Sequence, residues 1–216
     1  MKLYDSLGPN PRLVRLFMAE KGVDLPKAQI DLMSGENRRP PYTDRNPGGQ
    51  MPALELDDGT LLAETVAICE YLEELHPSPP LVGSTPAERA NTRMWTRRVE
   101  LWITEPLTAG FRFGEGLAMF KGRMRTIPQA ADDLKATARD GIEKLDGLVA
   151  GRDFIAGSRL TLADIVLYSF LDFAAGVGQP LDPKNANLTA WFARMAARPS
   201  ADESLHPIAK AGNMRA

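Results

Sequence analysis

Few side chains in this 216-residue chain are chemically reactive, and most of them stand alone. There is one cysteine, Cys69, and there are two histidines, His76 and His206. Each histidine precedes a proline with no second ligand at metal-binding spacing, so no metal site is expected. Cys69 falls on the apolar side of a helical pattern, where a buried thiol is inert, and a lone cysteine closes no intrachain disulfide. Glu64-Thr65 is more promising. The pair opens a helical pattern, and the unpaired N–H groups of a first helical turn favour a carboxylate there. Thr161 and Asp164 are spaced as a capping box at the start of another helix, a structural role.

The elements that must position these residues follow from periodicity. Lys2 to Asp5 reads as a first strand, closed by Ser-Leu-Gly-Pro. A helix follows with Leu13, Val14, Phe17 and Met18 on its apolar face, Asn10 as N-cap, Pro11 in the first turn and Gly22 at its end. Ala28 to Leu32 is a second strand, and Ser34 to Gly49 a long loop. Met51 to Leu56, Asp57-Asp58-Gly59 and Thr60 to Leu62 form a hairpin pattern. A helix from Glu64 to Leu75 buries Val66, Ile68, Cys69, Leu72 and Leu75. The proline-rich stretch from His76 to Pro86 reads as a linker. Beyond it only helices are expected: Glu88–Leu107, Gln129–Val149, a run from Thr161 to Phe173, and Asn187–Ala197. The last fifteen residues read as a loosely packed tail, and there are no internal repeats.

Composition narrows the classes further. The chain is 44% hydrophobic and 25% charged with a formal net charge of −2, which describes an ordinary globular protein with a full core. The short basic clusters Arg38-Arg39, Arg97-Arg98 and Arg123/Arg125 make no field able to hold a nucleic-acid backbone. No apolar run reaches the roughly 18 residues of a membrane span, and the first residues lack the apolar region of a signal peptide. Neither nucleic acid nor membrane is an expected partner, and the cytoplasm is the expected location.

Four local patterns resemble the glutathione transferase superfamily: Leu3 through Gly22, Asn46 through Leu54, Asp58 through Leu72, and Leu160 through Asp164. They occur in that family's order and spacing. The resemblance implies an α+β thioredoxin-like domain over residues 1–78, built on a mixed four-stranded sheet with helices. A linker over 79–86 and an all-α helical bundle over 87–216 would follow.

It also implies a site. Pro52 is similar to the family's cis-proline, exposing the Met51 backbone to the cysteinyl part of glutathione as an added strand would. Glu64 and Thr65 would hold the γ-glutamyl group, and Gln50 would donate to the ligand backbone. Arg39, with Asn37 and Arg38 as alternatives, would meet the glycine carboxylate. The thiolate is the nucleophile, and three residues are offered to stabilise it: Asn10 first, then Ser6, then Tyr4. Pro9-Asn10 resembles the Nu-type branch, in which an asparagine amide faces the sulfur. That branch often carries a hydroxyl residue where this chain has Gly8.

The implied activity is a detoxifying glutathione transferase, a homodimer using glutathione as co-substrate and no metal. Its second substrate would be a small apolar electrophile in a cleft between the domains, with Trp95, Trp102, Phe111, Phe113, Met119 and Phe120 as candidate lining. Two alternatives stay open: a glutathione-dependent disulfide reductase or peroxidase, and a non-catalytic glutathione- or ligand-binding protein.

Overall fold

The computed structural model describes residues 1–211, which divide into two compact units. One comprises Met1–Ser84 with the chain from Arg198 onward, and the other comprises Thr85–Ala197. In the first unit, strand β1 (Lys2–Asp5) leads into helix α1 (Pro9–Lys21) and strand β2 (Lys27–Gln29). A short helix α2 (Tyr42–Arg45), strands β3 (Ala53–Glu55) and β4 (Leu61–Leu62) and helix α3 (Thr65–Leu75) follow.

The sheet order is β2-β1-β3-β4, with β1 parallel to β2 and antiparallel to β3, and β3 antiparallel to β4. Side chains alternate across a strand, and this sorts the sheet's two faces. Leu3 and its partner Leu54 are fully buried on the face covered by α1 and α3. Lys2, Tyr4 and Glu55 lie on the other face. There Tyr4 packs edge-on against Tyr42 of α2, beside a small core of Ile30, Tyr42 and Met51.

Several expectations need correcting. Gly8, not Asn10, occupies the N-cap of α1, and Asn10 sits inside the first turn. The loop over 34–49 is not wholly irregular: it contains a helical turn at Glu36–Arg38 as well as α2. On α3, Leu75 is 47% exposed and Glu73 is buried in its stead. That carboxylate pairs with Lys21 and accepts the Val82 N–H at 2.9 Å. Lys21 also donates to the carbonyls of His76 and Pro79. This ionic hub pins the proline-rich stretch, whose Leu81 and Val82 are buried.

In the second unit, α4 (Pro86–Val99) opens with a capping box, Thr85 with Glu88. It passes through a π-helical turn at Glu100–Thr104 into α5 (Glu105–Phe113). α6 (Leu117–Phe120), α7 (Ala131–Leu148), α8 (Leu162–Gly176) and α9 (Ala186–Ala196) complete the bundle. Two glycines allow close approach: a Cβ on Gly141 of α7 would lie 2.1 Å from the Trp102 carbonyl oxygen, and one on Gly110 would meet Lys135. Asp164 is a buried hub. It accepts from the Thr161 N–H and hydroxyl, the Ile155 N–H and the Trp191 indole, each at 2.8–2.9 Å.

The expected loose tail is the largest departure. The chain from Arg198 rejoins the first unit, although the sequence reading assigns it to the helical bundle. It forms α10 (Pro199–Glu203) and α11 (Pro207–Ala211), with Ala201, Ser204, Leu205 and His206 buried. Residues 212–216 of the expected tail lie outside the described residues. The physical reason is polar. Arg198 and Ser200 both bond to Glu20 of α1, and Arg12 of α1 donates to the Ala201 carbonyl at 3.1 Å.

Candidate functional site

The strand register brings three of the expected site segments to one edge of the sheet. Tyr4 pairs with Ala53, so the C-terminal end of β1 lies beside the start of β3, where Met51-Pro52 enters. Leu54 pairs with Leu62, so the exit of β4 into Glu64-Thr65 lies at that same edge. Both β1 and β4 turn there into helices, so the mouths of α1 and α3 open at one place. Each mouth carries unsatisfied N–H groups and a partial positive charge.

Each mouth has its own donor set. In α1 the first three helical residues are Pro9, Asn10 and Pro11. Proline has no N–H, and the Arg12 N–H is already given to Gly8 O at 3.1 Å. Within the first helical turn the free donors therefore belong to Asn10: its backbone N–H and its side-chain amide, which bonds to no other described residue. Gly8 adopts φ 129° and ψ 165°, a region essentially reserved for glycine. This explains the missing hydroxyl: no serine or threonine adopts that backbone without strain.

In α3 the N-cap is Glu64 at φ 70°, the one described non-glycine residue with a positive φ. Such a conformation costs about 1–3 kcal/mol and clusters at ligand sites. The exposed Glu64 side chain caps nothing, which leaves the first-turn N–H groups from Thr65 onward open.

Backbone geometry at the third segment is fixed from behind. The Met51–Pro52 bond is cis. The Gln50 carbonyl accepts from the Tyr42 hydroxyl at 2.8 Å and from Asn46 Nδ2 at 2.9 Å, while the Gln50 side chain is exposed. Asn37 is buried and donates to the Gly49 carbonyl at 2.6 Å. Sequence reasoning gave Tyr42 and Asn46 no role, and it offered Asn37 as a contact for the glycine carboxylate, whereas its amide is spent on the Gly49 carbonyl. The one signal for these supports was polar residues in a loop too long to be idle.

The remaining candidates lie elsewhere. Tyr4 is on the face away from α1. Its hydroxyl donates to Glu55 Oε2 at 2.8 Å and accepts from Arg45 Nη1 at 2.5 Å. Hydrogen bonds from Arg45, then Tyr4 and Lys2, hold the Glu55 carboxyl at about 2. Ser6 is buried, and its hydroxyl donates to the adjacent Leu7 carbonyl at 3.3 Å. Arg39 is exposed and turned back to the Ser34 carbonyl at 3.2 Å, and Arg38 donates to the Gly48 carbonyl at 3.1 Å. Burial pushes the Cys69 thiol well above its ordinary value, which leaves it protonated and inert. Among the described residues, no group of three His, Cys, Asp or Glu side chains is placed to hold a metal ion. No described helix is long and apolar enough to cross a membrane.

A sheet edge with two helix mouths and a cis-proline beside it can be compared with known proteins. The glutathione S-transferase N-terminal domain matches residues 8–75, and the glutathione S-transferase C-terminal domain matches residues 115–199. The chain belongs to the glutathione transferase family. It is 33% identical to glutathione S-transferase 2 of Saccharomyces cerevisiae over 213 residues, covering 95% of this chain and 89% of that one. The crystal structure of Gtt2 from the same yeast superposes with a TM-score of 0.87 at 33% identity, covering 95% of this chain and all of that one. A glutathione S-transferase domain-containing protein from Marinobacter aquaeolei superposes at 0.86 with 37% identity, covering 93% and 99%. The sequence expectation of a glutathione transferase, with a mixed four-stranded thioredoxin-like sheet followed by helices, is borne out in family and fold.

Proposed function

We propose that this transferase binds glutathione at the sheet edge where the mouths of α1 and α3 meet Met51-Pro52, and stabilises its thiolate with Asn10. The observation that carries this reading is the convergence itself. The tripeptide has a carboxylate and ammonium at one end and a thiol in the middle. One helix mouth stands beside each, with an extended backbone between them.

Thr65 and the open N–H groups of α3 take the γ-glutamyl carboxylate, and Glu64 takes the ammonium. The Met51 N–H and C=O pair with the cysteinyl backbone, and Pro52 holds that backbone in its bend. Gln50 donates to the ligand backbone from the other side. Arg39, or Arg38 beside it, meets the glycine carboxylate.

At the sulfur, Asn10 supplies both its amide and its backbone N–H. Hydrogen bonds to a charged group contribute about 1.5–3 kcal/mol each, and one pKa unit corresponds to about 1.4 kcal/mol. Two such donors therefore suffice to lower the thiol by about two units. Ser6 and Tyr4 are secondary, because both hydroxyls already have partners. The stabilised thiolate then attacks a small apolar electrophile with no covalent enzyme intermediate. The active species is a homodimer in the cytoplasm.

Calorimetric titration with reduced glutathione tests the site, and turnover tests the reaction. Conjugation of a chloronitrobenzene supports the transferase reading. Turnover of hydroxyethyl disulfide with negligible conjugation replaces it with the reductase reading. Binding without either leaves a carrier. Sedimentation is expected to give about twice the 23.7 kDa chain mass, and monomers alone overturn the dimer.

A further inference from the structure

We propose that Arg15 is a positioning residue for the glutathione sulfur, with the C-terminal segment 198–206 as its second anchor. The inference rests on the reading of Asn10 given above.

Arg15 lies on α1 five residues beyond Asn10 and is buried. Its Nη1 donates to Asp5 Oδ1 at 2.5 Å and to the Ser6 carbonyl at 3.0 Å. Its Nε donates to the Ser204 carbonyl at 2.8 Å. One guanidinium thus joins the end of β1, the first residue of the turn into α1, and the returning C-terminal segment.

A second arm reaches the same place. Gln29 Nε2 donates to Asp5 Oδ2 at 3.2 Å, and Gln29 Oε1 meets His206 Nε2 at 2.8 Å. Arg12, fully buried, ties the segment down further through the Ala201 carbonyl and the Ser204 hydroxyl. The turn at Ser6-Leu7-Gly8 is short, so whatever holds Ser6 and Asp5 also sets where the α1 mouth opens. Hydrogen bonds to a sulfur anion depend steeply on distance and angle, so that placement governs how strongly Asn10 lowers the thiol. Arg15 is buried beneath the turn and acts on the sulfur through Ser6 and α1. The planar fork of an arginine can bridge three acceptors set at different angles, whereas a lysine ammonium cannot reproduce that geometry.

The test uses the full chain, its Arg15→Lys variant, which keeps the charge opposite Asp5, and its Arg12→Leu variant, which keeps the Arg15 side chain but loosens the segment that carries its Ser204 anchor. Ionisation of bound glutathione is followed by thiolate absorbance against pH, alongside kcat and KM with a chloronitrobenzene. Arg15→Lys is expected to raise the bound thiol by about one pKa unit and lower kcat about tenfold at neutral pH, with KM for the electrophile within about twofold. Arg12→Leu moves the thiol in the same direction by less. A bound thiol unshifted in Arg15→Lys overturns the inference while leaving glutathione binding intact. Should that variant fail to fold, an unshifted thiol in Arg12→Leu overturns it. Wild-type protein that binds no glutathione overturns both this inference and the site on which it rests.

Discussion

At the residue scale, the α1 mouth is unusual because two prolines silence its neighbouring donors and leave Asn10 with both. Asn10→Ala removes the side-chain donor and keeps the backbone one. The loss of one charge-assisted hydrogen bond predicts a fall in kcat/KM of about 10- to 100-fold, with the unfolding midpoint nearly unchanged. Steady-state kinetics within about threefold of wild type would remove Asn10 from the mechanism. Glu64 invites the complementary experiment. Its side chain is exposed and caps nothing, so Glu64→Ala is expected to change stability by less than about 0.5 kcal/mol. Calorimetry should still show glutathione affinity weakened about tenfold. Unaltered affinity would mean the ammonium sits elsewhere. Glu64 was legible as the opening of a helix, but its positive φ was not, because no local sequence signal marks a strained non-glycine backbone.

At the element scale, most boundaries follow from period and capping. The Thr161/Asp164 capping box and the Gly22 terminator were readable because both are local hydrogen-bond devices. One feature was missed. The π-helical turn at Glu100–Thr104 runs into Pro106, which has no N–H to give the Trp102 carbonyl four residues earlier. The facing helix meets the same carbonyl, where Gly141 brings α7 close. Gly141→Ala would place a methyl carbon 2.1 Å from that oxygen, and the obstacle is backbone, which cannot swing away. A loss of about 1–3 kcal/mol in urea unfolding is expected, although alanine is the better helix former in isolation. A neutral or stabilised variant would show that the two helices can separate at little cost.

At the scale of the whole molecule, the returning C-terminal segment gives the first unit a pH dependence. Burial, and behind it the positive charge of Arg15, hold the His206 imidazole below its ordinary value, against the opposing pull of Asp5. Its Nδ1 accepts the Ile208 N–H at 3.3 Å, which suits the neutral ring. An undocked segment binds a proton near the unperturbed value of about 6.5, while the docked one resists it. Docking is therefore strongest above that value and weakens as pH falls from about 7 through 6.5. Amide hydrogen exchange over 199–211, corrected for intrinsic rates, should lose protection between pH 7.5 and 5.5, and His206→Gln should flatten the change. Equal protection at both pH values in the wild type would show that the ring titrates without strain on the segment.

Residue types and their spacing alone determined the family, the sheet-then-helices order, the candidate segments and the inertness of Cys69, because each rests on contacts between near neighbours or on a recognisable run. Only the tertiary structure decided which candidates share an edge. Strand register is set by pairing across long sequence separations, and it sends Tyr4 to the face opposite Asn10. The fold alone also showed that Gly8 is a conformational necessity and that a tail which reads as loose is fastened by the buried arginines of the first helix. A buried guanidinium needs acceptors for its N–H groups, and two of them, the Ala201 and Ser204 carbonyls, lie 189 residues away in the chain.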